Sequence, residues 1–361
     1  MRFLIFGTGK IASHIIADLM ESEVDINIAG FLDNDMNKVG GKFFGKPVYH
    51  PGEICQLKYD YICLLMGKTV SKTVREQLVY GYHVASEQIV DRLFLLKFIM
   101  SKKFQYSNEP DIIDTLDFWK ENSISFFNQF QYKPETYDEV FWDMSSNMPY
   151  VLYKGKRLYY PRTYSNFIIK DEKMYVVSYR EMEQAENSPH RYLKGEIQIQ
   201  EDDVVIDAGA REGDFALEYI DIIKKLYLFE CDTDWIEALR LTYKDYMDKV
   251  CIIPKMLADY IDEEHITLGA AIKDKINFIK MDIEGAEVPV VMDSKEIFLN
   301  NDIRCAICSY HKKDDKNHLV KALEEYGYTC TLSSGHIVFV DDPNIFRDAD
   351  FRKGVVYACR K

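Results

Sequence analysis

Two short stretches constrain this chain most, because each places an apolar run, then glycines, then a helical pattern. The first is "FLIFGTGKIASH" (Phe3–His14), and the second is "VVIDAGAREGDF" (Val204–Phe215). An apolar run of this length bounded by glycine is typical of a buried strand. Strands that alternate with helices form parallel sheets whose two faces are covered. The repeated pattern therefore predicts two α/β lobes.

The alternation of strand and helix patterns also predicts the domain boundaries of the 361-residue chain. Residues 1–95 form one Rossmann-like module and residues 196–361 a second one. Between them, residues 96–195 read as a connector built from a helix and a hairpin. The predicted connector elements are a helix in "DIIDTLDFWKENSISFFNQF", a hairpin in "PYVLYKGKRLYYPR" and a strand in "KMYVVSYREM". In the last module, no helix pattern separates "HIVFVDD" from "GVVYACR", which predicts an antiparallel pair at the sheet edge.

Charge and composition narrow the class of ligand. The formal net charge of −14 argues against a nucleic acid held by bulk electrostatics, since phosphates need a basic surface. A neutral, carbohydrate-like or cationic small molecule fits better. The basic stretch Tyr153–Arg162 is interpreted as the polar face of the hairpin. No apolar run approaches 18 residues, so we expect no membrane span.

The eight cysteines are scattered along the chain, which predicts reduced thiols and a cytoplasmic location. Cys305 and Cys308 form a CxxC pair inside "IRCAICSYH", which reads as a buried strand. No second CxxC completes a zinc site, so we expect no bound metal.

The second glycine turn has the features of a binding site for S-adenosylmethionine. Asp207 ends its strand, and Gly209 and Gly213 let backbone and ligand approach closely. Glu230 ends the next strand, where an acid can accept hydrogen bonds from both ribose hydroxyls. Ligands of open α/β sheets bind at these strand ends. The alternative interpretation is a structural turn.

Three acids follow the buried strand of "NFIKMDIEGAEVPVV": Asp282, Glu284 and Glu287. They form a platform for substrate and methyl donor, or they match the dipole of the helix that follows, and both interpretations can hold. His311 follows the next strand and lands beside them, where it can take a proton from a hydroxyl group. The alternative is a solvated loop histidine.

His190 and Arg191 precede the C-terminal module in "SPHRYL". They either close over the site or anchor the connector. The sequence favours anchoring.

Four stretches together resemble a known family: "VVIDAGAREGDFAL", "LFECD", "FIKMDIEGAE" and "YHKKDD", in this order. They are similar to the FkbM-type S-adenosylmethionine-dependent methyltransferases, and "DIEGAE" is their most specific part. The resemblance covers the chain from about residue 185 to its end. It implies a class I methyltransferase fold and O-methylation of a hydroxyl on a sugar or natural product.

The resemblance also implies roles for single residues. Asp207, Gly209 and Gly213 would line the methionine part of the cofactor, and Glu230 would hold its ribose. Family members usually carry proline after that acid, where Cys231 stands here. Asp259 is the candidate for contact with the adenine, in a segment that is short in this chain.

Asp282, Glu284 and His311 would face the acceptor. A sulfonium methyl group is already activated, so the protein mainly aligns the hydroxyl oxygen with it. His311 or Asp282 would remove the proton. Alternatively, the acids hold a divalent metal that acidifies a diol.

The first glycine turn allows three interpretations. Gly7, Gly9 and Ala12 form a GxGxxA turn, and Asp33 follows 24 residues after Gly9, which matches a dinucleotide fingerprint. The stretch "GFLDNDMNKVGGKFFGKPVYHPGEI" also resembles the N-terminal modules of nucleotide-sugar acetyltransferases and dehydratases. This module therefore binds a nucleotide or nucleotide-sugar, binds NAD(P), or serves as a ligand-free scaffold.

Three functions follow from these patterns. The leading one is an O-methyltransferase acting on a sugar, glycan or nucleotide-sugar in glycan biosynthesis. The second is an NAD-dependent oxidoreductase or dehydratase that uses the first module, although no YxxxK motif supplies its base there. The third is a non-catalytic nucleotide-sugar-binding protein. The sequence leaves the oligomeric state open, including a homo-oligomer.

Overall fold

The structure is a computed structural model that describes residues 1–124, 138–163, 173–174, 180 and 182–360. The chain divides into two compact units. Unit 1 comprises Met1–Asn128 and Val338–Phe351, and unit 2 comprises Gln129–Ile337 and Arg352–Lys361. Both contain a mainly parallel sheet, so the predicted α/β class is confirmed.

The described strands are β1 Arg2–Phe6, β2 Asn27–Leu32, β3 Lys42–Phe43, β4 Lys46–Tyr49, β5 Tyr61–Leu64, β6 Ile89–Asp91, β7 Asp138–Glu139, β8 Phe141–Asp143, β9 Met148–Tyr153, β10 Lys156–Tyr159, β11 Lys173–Met174, β12 Val204–Ala208, β13 Lys225–Phe229, β14 Val250–Ile253, β15 Met256–Leu257, β16 His265–Ile266, β17 Phe278–Met281, β18 Arg304–Cys308, β19 Thr329–Leu332 and β20 Val355–Cys359. The described α-helices are α1 Lys10–Glu21, α2 Lys68–Glu76, α3 Arg92–Lys103, α4 Pro110–Phe118, α5 Asp214–Leu217, α6 Thr233–Thr242, α7 Leu268–Ala271, α8 Glu287–Asp293, α9 Lys295–Asn300, α10 Asp315–Glu325 and α11 Ile345–Asp348. Among the described residues, no helix combines the length and the apolar character needed to cross a bilayer.

Unit 1 is built on a six-stranded sheet with the order β3-β4-β2-β1-β5-β6. Its neighbouring strands are parallel except for the β3–β4 pair. Apolar residues of β1 and α1 are buried together in its core, among them Phe3, Ile5 and Ile16. These elements are the ones that the N-terminal alternation predicts.

The units divide the chain at other places than the predicted boundaries of 95/96 and 195/196. Helix α4 and the greater part of α3 fall in the predicted connector, yet Leu96 and Ile112 are buried and both helices lie within unit 1. The segment Val338–Phe351 also belongs to unit 1, although it falls within the predicted second module. The reason is the burial of apolar side chains, since Val338 and Phe346 join the core of the first sheet.

Unit 2 is built on a seven-stranded sheet with the order β14-β13-β12-β17-β18-β20-β19. The first five strands are parallel, and β20 runs antiparallel between β18 and β19. An antiparallel edge was predicted, but with the wrong partner strand. The predicted strand in "HIVFVDD" forms only an isolated bridge between Ile337 and Arg352. Thr329–Leu332 takes its place, because the apolar residues after Ile337 are buried in unit 1.

The predicted hairpin is present as β9 and β10, with Tyr153 paired to Lys156. Lys154 and Gly155 both have positive φ, as a tight two-residue hairpin turn requires. Of the predicted connector helix, Pro110–Phe118 is helical and residues 125–130 lie outside the described residues. The predicted strand over 173–182 is described only at Lys173–Met174 and at residues 180 and 182.

Candidate functional site

The predicted site residues of the C-terminal module gather at one edge of the unit 2 sheet. Strands β13, β12, β17 and β18 are adjacent and parallel, so their carboxyl ends meet at that edge. Asp207 lies in β12, and Glu230 directly follows β13. Asp282 directly follows β17, and His311 comes three residues after β18. Ligand sites of open α/β sheets lie at this edge.

In the glycine turn after β12, neighbouring atoms of the protein leave no room for a side chain at either glycine. Gly209 has φ of +74°, and a Cβ atom there would lie 1.8 Å from the carbonyl oxygen of Asp282. Gly213 has φ of +75°, and a Cβ atom there would lie 2.5 Å from Leu239 Cδ2. The structure thus explains both glycines by contacts within the protein, in addition to the ligand approach that the sequence suggests.

Asp207 is buried at the floor of the site and paired with Lys280, a residue that sequence reasoning missed. Lys280 Nζ lies 3.0 Å from Asp207 Oδ1 and donates to the carbonyl oxygen of Gly209 at 2.7 Å. Burial alone would lower the pKa of Lys280, but the carboxylates of Asp207 and Asp282 outweigh it and raise that pKa. Lys280 thereby ties β17 to the glycine turn. The sequence signal that could have identified Lys280 is its position inside the apolar run "NFIKM", where a buried charge needs a partner.

Glu230 connects the end of β13 to the same turn. Its Oε1 accepts the backbone N–H groups of Cys231 and Asp232, and its Oε2 accepts that of Arg211 at 2.8 Å. The first of these bonds requires a residue other than proline at position 231, since a proline has no N–H to donate. Each carboxylate oxygen has two acceptor positions, so Oε2 can still accept one more hydrogen bond.

Asp259 is the remaining predicted site residue of the C-terminal module. It is exposed in the loop after β15. Within the described part of the chain, it makes no hydrogen bond or ion pair with the other predicted site residues. Its assignment to the adenine stays a prediction.

Arg180 precedes β12 in the chain and contacts the glycine turn that follows this strand. Its guanidinium pairs with the carboxylates of Glu212, Glu183 and Asp214, the last at 3.8 Å. All three carboxylates are buried. The turn is thus held by a residue far outside its motif, for which the sequence offers no local signal.

Asp282 lies at the centre of a compact polar cluster. Tyr192 donates its hydroxyl hydrogen to Asp282 Oδ2 at 2.9 Å, and Tyr310 donates to Oδ1 at 3.3 Å. His190 Nε2 lies 3.4 Å from Oδ2, and His311 Nε2 lies 3.5 Å from Oδ1. The two histidines therefore flank opposite oxygens of one carboxylate. The sequence favoured anchoring for His190, whereas the structure puts its ring against Asp282.

The electrostatic surroundings keep Asp282 ionised. Burial works against its charge, but the hydrogen bond and charge of His190 act in the other direction, as do the charges of Lys280 and His311. Together they hold the pKa of Asp282 well below its ordinary value. At neutral pH Asp282 is therefore a carboxylate that accepts hydrogen bonds. A group with a higher pKa is the better general base.

Three carboxylates surround the ring of His311. Its Nδ1 lies 3.0 Å from Oε1 of Glu287, a fully buried residue whose Oε1 also accepts the N–H of Ile283. Its Nε2 faces Asp282 and lies 3.6 Å from Glu284 Oε2. Burial lowers the pKa of His311, but the hydrogen bond with Glu287 and the nearby carboxylates outweigh burial and raise it. This geometry orients one ring nitrogen and leaves the other facing the cluster.

Glu284 occupies an unusual backbone conformation beside His311. Its φ is +56°, a value that a residue with a side chain adopts at a cost. Its side chain is 83% exposed, whereas that of Asp282 is 19% exposed. The next residue, Gly285, has φ of +93° and accepts a hydrogen bond from Lys312 Nζ. The "DIEGAE" stretch thus holds one carboxylate in solvent at the rim of the cluster.

In unit 1, the glycine turn after β1 also owes its glycine to packing. Gly7 has φ of +110°, and a Cβ atom there would lie 3.2 Å from the carbonyl oxygen of Leu65. Open space lies beside Gly9 at the start of α1. The predicted ribose acceptor Asp33 is already engaged by Thr8, by Lys38 at 3.2 Å, and by the N–H of Asp35.

In comparisons with known proteins, units 1 and 2 match different family models. Residues 243–330 match the family model of the Methyltransferase FkbM domain. Residues 1–90 match a different model, C2185-like, N-terminal. That match does not test the predicted resemblance to nucleotide-sugar acetyltransferases and dehydratases. No curated protein matches the chain in sequence.

Several solved structures are similar in fold at low sequence identity. A methyltransferase FkbM from Methylobacillus flagellatus KT is 13% identical, with a TM-score of 0.42, and the match covers 99% of this chain and 89% of that one. SMU.1697c from Streptococcus mutans, a putative methyltransferase in complex with SAH, is 16% identical over 45% of this chain and 91% of its own, with a TM-score of 0.34. The magnesium protoporphyrin IX methyltransferase from Synechocystis PCC 6803 with bound SAM is 12% identical over 45% and 71%, with a TM-score of 0.31. All three TM-scores lie below 0.5, so none of them locates a site or a substrate in this chain.

The family match covers "DIEGAE" and "YHKKDD", the stretches that bring Asp282, Glu284 and His311 together. The predicted resemblance to S-adenosylmethionine-dependent methyltransferases is therefore confirmed. Within unit 2, residues 243–330 match the methyltransferase FkbM domain.

Proposed function

We propose that this protein transfers a methyl group from S-adenosylmethionine to a hydroxyl group of a sugar, glycan or nucleotide-sugar. The observation that carries this proposal is the geometry of His311. Its Nδ1 is bonded to Glu287, and its Nε2 faces Asp282 at the sheet edge where the glycine turn lies. A histidine oriented in this way is suited to take a proton from a hydroxyl group.

Buried acids beside the glycine turn support the binding of a cationic methyl donor. Glu183, Glu212 and Asp214 surround the guanidinium of Arg180, which leaves an excess of negative charge. The amine and sulfonium of S-adenosylmethionine are positive, and Glu230 Oε2 can still accept a ribose hydroxyl. We assign the methionine part of the donor to the Asp207–Gly213 turn and its ribose to Glu230.

In the reaction, His311 Nε2 receives the proton of the acceptor hydroxyl. Glu287 keeps the hydrogen of the ring on Nδ1, which leaves the lone pair on Nε2. Asp282 and Glu284 stabilise the positive charge that His311 then carries. S-adenosylmethionine supplies, when bound, a sulfonium methyl group whose carbon–sulfur bond breaks as the carbon–oxygen bond of the product forms.

Calorimetry with S-adenosylmethionine tests donor binding, with Glu230→Ala and Asp259→Ala as a matched pair. Each variant removes one carboxylate, but only Glu230 belongs to the network at the sheet edge. We expect Glu230→Ala to weaken binding at least about tenfold, because hydrogen bonds to charged groups contribute about 1.5–3 kcal/mol. Asp259→Ala should have a smaller effect. The absence of binding to the unmodified protein would overturn the proposed function.

Methyl transfer tests the base. The acceptor panel is methyl glucoside, N-acetylglucosamine and UDP-N-acetylglucosamine, assayed with a radiolabelled methyl group. His311→Ala should lose at least about a hundredfold in rate, as expected for removal of a general base. His318→Ala removes an exposed histidine of α10 and should keep the rate. An unchanged rate in His311→Ala would exclude His311 as the base.

We further propose that unit 1 does not bind NAD(H), because the carboxylate of Asp33 is already held by an ion pair with Lys38 and a hydrogen bond from the Thr8 side chain, which a ribose would have to displace. The chain should therefore leave the fluorescence of NADH unchanged. An enhancement that Asp33→Ala abolishes would restore the dinucleotide interpretation. A cytoplasmic location and a non-nucleic-acid substrate are part of the proposal and rest on the free cysteines and the net charge of −14.

A further inference from the structure

We propose that His190, Asp282 and Cys308 hold a zinc ion at the floor of the unit 2 site. A nitrogen, an oxygen and a sulfur atom of these side chains all lie within 4.8 Å of one another. Imidazole, carboxylate and thiolate are the ligands that zinc takes in proteins. None of the sequence patterns predicts this set, since His190 and Cys308 are 118 residues apart.

The two separations measured from His190 are close to those of tetrahedral coordination. His190 Nε2 lies 3.4 Å from Asp282 Oδ2 and 3.8 Å from Cys308 Sγ. At ordinary zinc bond lengths, a tetrahedral site separates nitrogen from oxygen by about 3.4 Å and nitrogen from sulfur by about 3.6 Å. The side chains therefore need little movement to share one ion.

The local charge also favours a divalent cation. Three carboxylates lie here, those of Asp207, Asp282 and Glu287, and Lys280 carries the buried ammonium. Among these four groups the carboxylates outnumber the ammonium by three to one. Buried charge without compensation is costly. A zinc ion would balance it.

Cys308 would become a ligand by losing its proton. It is fully buried at the end of β18, and burial raises the pKa of its thiol well above the ordinary value. Without a metal the thiol stays protonated, whereas a bound ion holds the sulfur as thiolate.

Three protein ligands leave the fourth position of a tetrahedral site open. A water molecule or the acceptor hydroxyl would occupy it, and a hydroxyl bound there would lose its proton to His311 more readily. This catalytic use rests on the proposed function. The binding of zinc itself does not.

Metal uptake by the full-length chain tests the proposal, with Cys308→Ser and Cys305→Ser as a matched pair. Both cysteines are fully buried in β18, but only Cys308 belongs to the cluster. After treatment with a chelator, the protein is titrated with cobalt(II), which reports tetrahedral geometry in the visible range and a thiolate ligand by charge-transfer absorption. We expect one cobalt per chain with a thiolate band in the unmodified protein and in Cys305→Ser.

Cys308→Ser should lose the thiolate band and bind zinc at least about tenfold more weakly. Thermal melting separates this result from misfolding, because zinc should raise the melting temperature of Cys305→Ser and not that of Cys308→Ser. A thiolate band that persists in Cys308→Ser, or no metal uptake by the unmodified protein, overturns the proposal. Donor binding by calorimetry is measured on the same metal-free samples, so a failure of the zinc site and a failure of the methyltransferase proposal are told apart.

Discussion

At the scale of single residues, several side chains of the site owe their identity to the packing around them. Gly209 is the clearest case, because the carbonyl oxygen of Asp282 occupies the place where a Cβ atom would stand. The motif glycine therefore sets the distance between β12 and the end of β17. Any side chain there would push apart the two strands that carry Asp207 and Asp282.

Gly209→Ala should destabilise the protein by more than about 2 kcal/mol, because backbone must shift and φ is positive. Gly9→Ala is the matched control, since open space surrounds Gly9 and its φ is −84°. Urea denaturation followed by circular dichroism measures both variants. Equal midpoints for the two would show that β12 and β17 can separate without cost.

The titration of His311 follows from its partner Glu287. The hydrogen bond between them contributes to a pKa of His311 above its ordinary 6.5. Glu287→Gln removes the charge of this partner and should lower the pKa of His311. Proton NMR of the ring across pH, with His311→Ala to assign the signal, measures the shift. A raised folded-state pKa stabilises the protein fully below pH 6.5, and that contribution is lost as the pH rises through the folded-state value. An identical titration in both proteins would show that Glu287 does not act on His311.

At the scale of elements, the strands of unit 2 that carry the site were predictable from the sequence. Apolar runs ending in Asp207, Glu230 and Asp282 marked the strand ends, and parallel pairing brought those ends together. The contribution to the site of the residues that precede β12 was not predictable. Arg180 and His190 meet the domain through long-range packing, which no local periodicity records.

The same limit explains the misplaced edge strand. "HIVFVDD" has the apolar run of a strand, and Ile337 and Val338 are indeed buried. Val338 is buried in the core of unit 1, however, and Thr329–Leu332 pairs with β20 instead. A local pattern predicts that a segment is buried and does not predict which core buries it.

The role in donor binding of the residues that precede β12 can be tested by replacing Arg180. Arg180→Ala leaves Glu212 and Asp214 buried without their cation and should weaken S-adenosylmethionine binding at least about tenfold. Arg162→Ala is the control, because its ion pair with Glu237 is exposed and such pairs contribute at most about 1 kcal/mol. Calorimetry measures both. Equal affinities for the donor would mean that the glycine turn holds its shape without Arg180.

At the scale of the whole molecule, each unit is built from two separate stretches of the chain. Unit 2 is interrupted by Val338–Phe351, which belongs to unit 1. The two ends of this interruption are adjacent, because Ile337 and Arg352 exchange backbone hydrogen bonds of 2.7 and 2.9 Å. An antiparallel pair of this kind can be closed by a two-residue turn. The methyltransferase unit is therefore separable in principle, but not by a single cut.

This predicts a specific outcome for two fragments. Residues 129–337 and 352–361, joined by Asn-Gly, keep Arg180, His190 and the complete seven-stranded sheet. This fragment should fold and bind S-adenosylmethionine. A fragment of residues 196–361 lacks both side chains and exposes the apolar residues Val338 and Phe346, which are buried in unit 1. It should aggregate, because apolar surface that has lost its core associates with other copies. Size-exclusion chromatography and calorimetry compare the two. If the fragment of residues 196–361 is monomeric and binds the donor as tightly as the full chain, the segment before the domain has no part in the site.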